Sequence, residues 1–336
     1  MISKSAKTRK NLIITVVALV MALTLSACGA SNNEGGTASS PANSPSSSSG
    51  APSDSGAAEK TVTDSMGHQV TIPANPQKVL ASYLEDHLVT LGVKPVAQWS
   101  VANGIQDYLS SSLKDVPTIS YDLPPESVAS FAPDLILIGS ASQVQNGLYD
   151  QYSKIAPTYV LGDDLIRDWR QTLLKIGELL GKSEEAKKAI EAYDAKAAAA
   201  KAKVESAIGS KSVAILWLVQ KQFYMVDEKL SSGAVLYGDL GLKAPNLVTG
   251  LPESAKASWN PVTLEKLAEL DADYVFLVNG DKGEGAETLK NPIWQGIPAV
   301  KAGHVYEMSS TSSWLYSGAI AGEKVMDDLT ASLGIK

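Results

Sequence analysis

Few side chains in this 336-residue sequence could carry out covalent or metal chemistry. Cys28 is the single cysteine, so no disulfide can form within the chain. His68, His87 and His304 lack the spacing of a zinc site such as HxxxH. The acidic pair before His87 (residues 85–86) gives too few ligands for a receptor that binds a bare metal ion. The sequence therefore predicts no metal site.

Two stretches resemble catalytic motifs only superficially. Residues 139–142 read GSAS, which is not the GxSxG turn of a serine hydrolase. Residues 279–288 are rich in glycine after a predicted strand, but they do not match GxGxxG. Their three acidic side chains would also repel a phosphate group. We therefore expect a binding protein and not an enzyme.

The first 28 residues have the pattern of a secretion signal. Residues 1–11 carry four basic side chains and no acid, and residues 12–25 are apolar apart from two threonines. This run is shorter than the about 20 apolar residues that span a membrane. Leu25–Cys28 reads Leu-Ser-Ala-Cys and resembles the lipobox of bacterial lipoproteins. The resemblance implies that residues 1–27 are cleaved and that Cys28, diacylated with palmitate-type chains, anchors the protein at the outer face of a Gram-positive cytoplasmic membrane.

The segment after Cys28 predicts a flexible tether over residues 28–60. Residues 29–58 are almost entirely Ser, Gly, Ala, Asn and Pro, which cannot bury enough surface to fold and would reach roughly 30 Å. Loss of the four positive charges of the signal changes the formal net charge from -7 to -11. So acidic a chain is not expected to bind nucleic acid.

Two segments of the chain repeat one pattern. ESVASFAPDLILIG starts at Glu126 and EKLAELDADYVFLVNG starts at Glu265. Each passes from a short helical pattern through an aspartate (Asp134 or Asp273) into a continuous apolar run. Apolar runs of this length are typical of buried parallel strands. The repeat predicts an α/β fold with two Rossmann-like lobes.

Residues 183–208 predict one long helix between the lobes. They are rich in Ala, Glu and Lys and contain no Pro or Gly before Gly209. At 1.5 Å per residue such a helix would span about 35–40 Å. The predicted order is an N-terminal lobe at 61–182, the connecting helix, and a C-terminal lobe at 209–336. A continuous helix makes this connection stiff.

Six stretches in order resemble the helical-backbone (class III) substrate-binding proteins of ABC importers, the ferric-siderophore and cobalamin group. They are VTDSMGHQVTIPANPQKVL (62–80), FAPDLILIG (131–139), YSKIAPTYVL (152–161), WRQTLLKIGELLGK (169–182), VLYGDLGLKAP (235–245) and GIPAVKAGHVYEM (296–308). The resemblance covers nearly all of residues 60–330. It implies a monomer without a cofactor, which binds a ligand between its lobes and hands it to a permease dimer driven by an ATPase.

The repeated glutamates gain a role from this resemblance. In the family an acidic residue on each lobe pairs with arginines of the permease, and Glu126 and Glu265 occupy those positions. A glutamate in a first helical turn also favours the helix dipole without any partner. Docking is the favoured interpretation because both lobes carry the acid at the same place.

Ligand contacts are expected where strands end and loops face the cleft. The N-terminal lobe offers Tyr83, Trp99, Tyr121, Ser140 and Arg167, and the C-terminal lobe offers Trp217, Tyr224, Trp314 and Tyr316. Glu85 and Gln143 are further candidates, whereas Trp169 and Trp294 lie in helical patterns and are assigned to the core.

The balance of aromatic and cationic residues favours one ligand class. Arg167 is the only arginine among the candidates, so a highly anionic ferric tris-catecholate would lack paired cations. A ferric hydroxamate or citrate–hydroxamate siderophore suits an aromatic wall. Ferric catecholate, haem and cobalamin remain alternatives, and a metal-ion receptor is a remote one. Relatives that bind hydroxamates carry an aromatic and an arginine in the loop at 227–236, where this chain has Leu230 and Ser232.

Overall fold

The computed structural model describes residues 59–102, 104–252, 257–281 and 285–335. The predicted signal, Cys28 and nearly all of the tether lie outside these ranges. Within them, no helix combines the length and apolar character needed to cross a membrane.

The N-terminal lobe is built on small sheets. Its strands are β1 Lys60–Thr63, β2 Gln69–Ile72, β3 Val79–Leu80, β4 Gln98–Val101, β5 Gly104–Ile105, β6 Thr118–Ser120, β7 Leu135–Ile138 and β8 Thr158–Val160. β1 and β2 form a hairpin, β3-β7-β8 are parallel, and β5-β4-β6 form a mixed sheet. β7 reads Leu-Ile-Leu-Ile, and successive side chains pack alternately into two different core clusters. Both faces of this strand are therefore covered, as its sequence predicts.

Short helices connect these strands and cover the sheets. They are α1 Glu85–Thr90, α2 Ser110–Leu113, α3 Pro125–Ser130, α4 Leu148–Tyr152, α5 Asp163–Ile166 and α6 Trp169–Leu179, with 3-10 turns at Asp107–Leu109 and Ala141–Val144. The Asp168 side chain caps α6 by accepting hydrogen bonds from the N–H groups of Arg170 and Gln171.

The connecting helix α7 spans Ser183–Ile208, the range that the sequence predicts. Its buried face includes Tyr193, Ala197, Ala200 and Val204, which recur at helical spacing. This face packs on α6 and on the last helix. The helix ends at Gly209, where φ is 58°.

The C-terminal lobe contains a larger sheet. Its strands are β9 Val213–Val219, β10 Gln222–Val226, β11 Trp259–Val262, β12 Tyr274–Asn279 and β13 Val305–Ser309, in the order β11-β10-β9-β12-β13. Its helices are α8 Ser231–Gly233, a π-helix at Ala234–Asp239, α9 Asn246–Thr249, α10 Leu264–Leu267, α11 Gly285–Leu289, α12 Pro292–Gly296, α13 Pro298–Lys301, a 3-10 turn at Ser313–Leu315, and α14 Ala319–Ser332. α14 packs on α7 and also on α1, so it contacts both lobes.

The repeated aspartates perform the same task in both lobes. Asp134 accepts hydrogen bonds from the N–H groups of Gln77 and Lys78 at 2.7 and 2.9 Å, just before β3. Asp273 accepts one from the N–H of Ser212 at 2.8 Å, just before β9. Each carboxylate thus ties the start of one strand to the strand that follows the aspartate. The sequence repeat is therefore a structural repeat.

Candidate functional site

A cavity of about 660 Å³ lies between the lobes. Five predicted residues line it from the N-terminal lobe: Tyr83, Trp99, Tyr121, Ser140 and Arg167. The C-terminal lobe contributes Leu230, Ser231, Ala257, Ser258 and Ser317. The cavity is thus built from both halves of the repeat, at the ends of strands where ligands are expected.

Aromatic rings form the rim of this cavity. Tyr83 contacts Trp99 edge-on, with ring centroids 5.1 Å apart, and Tyr316 lies 6.1 Å from Tyr83 and 6.5 Å from Trp99. Tyr83 and Tyr121 remain exposed. Tyr316 comes from the other half of the chain and contacts these rings, although it is not itself among the described residues that line the cavity. Its hydroxyl donates to the carbonyl of Ile105 at 3.4 Å. These rings can bury the carbon surface of a ligand.

Two residues that line the cavity have strained backbones. Tyr83 has a φ of 66° and Ser231 has a φ of 48°, although neither is glycine. Such conformations cost about 1–3 kcal/mol and occur most often at functional sites. One strained residue on each lobe faces the same cavity, which supports a binding role for it.

The two arginines of the described chain have different surroundings. Arg170 pairs with Asp194 at 2.7 Å and Asp239 at 3.0 Å, and its guanidinium lies over the Trp169 ring. Arg167 lines the cavity and, within the described ranges, has no ion-pair partner. Arg170 is therefore structural, and Arg167 is the arginine available to a ligand.

Three buried polar side chains of the cavity wall were not predicted from the sequence as ligand contacts. Ser82, His87 and Gln106 line the cavity and are 3%, 6% and 4% exposed. Burial lowers the pKa of His87 to about 4, so its ring is neutral at pH 7. Ser82 follows β3 directly, and this position is the only signal that could have marked it. No sequence pattern marked His87 or Gln106 as lining residues.

Glu85 is buried and is not among the described residues that line the cavity. Its Oε1 accepts a hydrogen bond from the N–H of Trp99 at 2.6 Å, which ties the start of β4 to α1. Desolvation raises the pKa of Glu85 to about 7, against the opposing effect of its backbone hydrogen bonds. Gln143, the other additional candidate, lines the cavity and bonds through Oε1 to the N–H of Ser140.

Trp314 is a correction to the sequence prediction. Its ring is fully buried, stacks on Phe276 at 5.0 Å, and donates from Nε1 to Asp328 at 2.9 Å. It belongs to the core, because the short turn that carries it is held under α14.

Trp217 and Tyr224 are a second correction. They pair with each other across β9 and β10 at 5.3 Å, and Trp217 also contacts Trp259 at 5.9 Å. These rings lie on the sheet of the C-terminal lobe, and neither Trp217 nor Tyr224 is among the described residues that line the cavity. Trp169 and Trp294 are buried in the core, as the sequence predicts.

Glu126 and Glu265 lie in the first turns of α3 and α10. Both side chains are exposed, and within the described ranges neither has an ion-pair or hydrogen-bond partner. Each is thus free to meet a cation on another protein. In the same ranges, no three His, Cys, Asp or Glu side chains are grouped so that they could hold a metal ion.

Two α/β lobes, a continuous helix between them and a cavity at their junction define a class III substrate-binding protein. The chain belongs to the periplasmic binding protein family, whose model matches residues 82–311. It is 29% identical to the iron(3+)-hydroxamate-binding protein FhuD of Bacillus subtilis (strain 168), over 96% of this chain and 98% of that protein.

Solved structures give the same fold. A FhuD-fold periplasmic binding protein, a component of a Fep/Fec-like ferrichrome ABC transporter from Bacillus subtilis, is 26% identical with a TM-score of 0.68 and covers 81% of this chain and 99% of its own. Staphylococcus aureus SirA complexed with staphyloferrin B is 25% identical with a TM-score of 0.70 and covers 82% and 99%. The predicted family and fold are confirmed, and so is the prediction that the protein is not an enzyme. The roles of single residues stay predictions.

Proposed function

We propose that the protein is a lipoprotein that captures a ferric siderophore between its lobes and delivers it to an ABC permease for iron uptake. The observation that carries this proposal is the rim of aromatic rings beside Arg167, an arginine without an ion-pair partner in the described ranges. Aromatic faces stabilise the carbon shell of a chelate by about 25 cal/mol per Å² buried. A guanidinium can donate charge-assisted hydrogen bonds to chelate oxygens.

The charge of the cavity supports a siderophore of low net charge, of the hydroxamate or citrate–hydroxamate type. Asp163 and Arg167 are the charged residues among the described ones that line the cavity, and their charges cancel. A tris-catecholate complex would bury negative charges without paired cations, at several kcal/mol for each charge. The names of the relatives agree in part, since one is named for iron(3+)-hydroxamate and one holds staphyloferrin B.

Delivery would use two further features. Glu126 and Glu265 stand exposed on the two lobes, and they would pair with arginines of the permease dimer. The lipid on Cys28 would hold the protein at the outer face of the cytoplasmic membrane, near that permease. We propose that the protein works as a monomer, since one chain supplies both sides of the cavity.

Titration of intrinsic fluorescence tests the ligand. We expect ferric hydroxamates to quench tryptophan emission of the mature protein, because Trp99 lies on the cavity rim. The variant Trp99→Phe should lose most of this quenching, and Trp294→Phe, a change in the core, should keep it. Ferric enterobactin, haemin and cobalamin are titrated in parallel. If one of these compounds binds tightly and no ferric hydroxamate binds, the ligand belongs to that other class. If no compound binds, the proposal is overturned.

A further inference from the structure

The polar wall formed by Ser82, His87 and Gln106, here called the floor, is unlike the rest of the cavity. Each residue is more than nine-tenths buried, yet each lines the open space. The rim beside them is aromatic. The floor can therefore contact only a ligand that enters the cavity.

Polar atoms of the floor lack partners within the protein. Among the described residues, Ser82 Oγ, both ring nitrogens of His87 and Gln106 Oε1 are buried and have no hydrogen-bond partner. An unsatisfied buried polar atom destabilises the folded state, so such atoms are rare unless a ligand or water bonds to them.

Other glutamines of the same lobe show that this is not a general feature. Gln98 is as buried as Gln106, but its Nε2 donates to the carbonyls of Leu113 at 3.1 Å and Val116 at 2.6 Å. Gln143 lines the cavity and bonds to Ser140. Gln106 thus differs from both, because its buried oxygen is left for a partner outside the chain.

The charges of the ionisable groups at and near the floor indicate which kind of ligand group it can bind. Glu85 is 1% exposed, its Oε2 is also unpartnered, and within the described ranges no cation pairs with it. The ring of His87 is neutral. Burial raises the pKa of Glu85 to about 7, so this group is not a fixed anion at neutral pH, and the floor itself offers a hydroxyl, an amide oxygen and a neutral imidazole. Such a wall suits a neutral group that donates and accepts hydrogen bonds, and it gives a free carboxylate no cation to pair with.

We infer that Ser82, His87 and Gln106 form a subsite for a neutral amide or hydroxyl group of the organic backbone of the siderophore. This inference rests on the proposed function and narrows it to siderophores whose arms are neutral. The aromatic rim and Arg167 would contact the iron chelate, and the floor would hydrogen-bond to the organic backbone that links the chelating groups. A site that must satisfy its own buried polar groups discriminates strongly against ligands that lack the matching group.

Paired glutamine variants test the subsite. Dissociation constants for ferrichrome, whose peptide ring carries amide N–H groups, and for ferric aerobactin, which carries free carboxylates, are measured with wild type, Gln106→Leu, Ser82→Ala and Gln98→Leu. Thermal unfolding is measured on the same samples without ligand. Gln106→Leu should weaken ferrichrome binding at least tenfold and leave the melting temperature equal or higher, because no internal bond is lost. Gln98→Leu should lower the melting temperature and keep the affinity.

The outcomes separate the two proposals. Wild type should bind ferrichrome at least tenfold more tightly than ferric aerobactin, because a free carboxylate at the floor would have no cation to pair with. Unchanged ferrichrome affinity in both Gln106→Leu and Ser82→Ala, or a wild-type preference for aerobactin, would overturn the subsite while leaving siderophore capture intact. If wild type binds no ferric siderophore of either kind or of the fluorescence panel, the proposed function fails and the subsite with it.

Discussion

The carboxylate of Asp86 accepts a hydrogen bond from the backbone N–H of Ala321 at 2.9 Å, although the two residues lie 235 positions apart. The same carboxylate accepts bonds from the N–H of Ile320 at 3.2 Å and the hydroxyl of Tyr108 at 3.1 Å. It thus caps α14 from α1 and ties the two ends of the described chain together.

Gly318 makes this contact possible, and its replacement by a larger residue should lower the stability of the protein. A Cβ at Gly318 would lie 2.2 Å from the Asp86 carboxyl group, and the φ of 144° disfavours other residues. Gly318→Ala should lower the free energy of unfolding by about 2 kcal/mol or more, measured with urea. Gly296→Ala, where a Cβ meets nothing within 4 Å, is the control and should change it by less than about 0.5 kcal/mol. Equal stability of both variants would contradict the tight fit.

The buried Glu85 should make stability depend on pH in a defined direction. Desolvation raises its pKa from 4.5 to about 7, so the folded state holds a proton that the unfolded state releases. Its contribution to stability is therefore greatest below pH 4.5 and is lost as the pH rises to about 7. Glu85→Gln should stabilise the protein at pH 8 by about 3 kcal/mol, a gain that nearly vanishes at pH 4.5.

Urea unfolding at the two pH values measures this difference. Glu126→Gln, at an exposed position, is the control and should give the same small change at both. A gain for Glu85→Gln that is as large at pH 4.5 as at pH 8 would show that packing, and not charge, is responsible.

The two arginines should separate binding from stability. Arg167→Ala should weaken siderophore binding by about 1.5–3 kcal/mol, as for a charge-assisted hydrogen bond, with little change in unfolding. Arg170→Ala breaks the contacts with Asp194 and Asp239, so it should lower stability by about 1–3 kcal/mol and affect binding less. Titration and urea unfolding of both variants check this. The reverse pattern would mean that Arg170 is the ligand-binding arginine.

The exposed glutamates should matter for transport alone. Cells that carry the double variant Glu126→Lys, Glu265→Lys should lose uptake of radiolabelled ferric siderophore, while the purified variant binds it as wild type does. Glu184→Lys with Glu191→Lys reverses two exposed charges on α7 and should leave uptake intact. Persistent uptake in the first variant would reduce Glu126 and Glu265 to acids that favour helix starts.

Cys28 should decide where the protein resides. Cys28→Ser removes the acylated sulfur, so the protein should remain unprocessed or be released into the medium. Membrane fractionation and the mass of the mature chain measure both results. Membrane retention with an unchanged mature mass would exclude lipid anchoring. Ser26→Gly, which keeps a small residue before the cysteine, is the control and should be processed normally.

The sequence was sufficient where local pattern decides structure. The apolar runs of β7 and β12 and the Ala-rich stretch of α7 predicted their elements, and the ends of strands located Tyr83, Tyr121 and Ser140. It failed for Trp314, because whether an aromatic ring faces a cleft or a core depends on what packs over it.

The floor residues escaped prediction for a related reason. Ser82 and Gln106 are ordinary polar residues in sequence, and they become distinctive only because the folded chain provides no partner for their oxygens. A hydrogen bond that is missing has no sequence pattern. The repeat of Asp134 and Asp273, in contrast, was visible in the sequence because the aspartate makes the same kind of hydrogen bond in both lobes.

The continuous helix α7 affects how empty and loaded copies of the protein compete for the permease. A helix of 26 residues without a break allows little rotation of one lobe against the other, so we expect the empty and the loaded protein to present nearly the same outline to a permease. Empty copies would then compete for the same docking position. Iron supply would depend on the ratio of loaded to empty copies, and producing more of the protein than the available siderophore can fill would slow import.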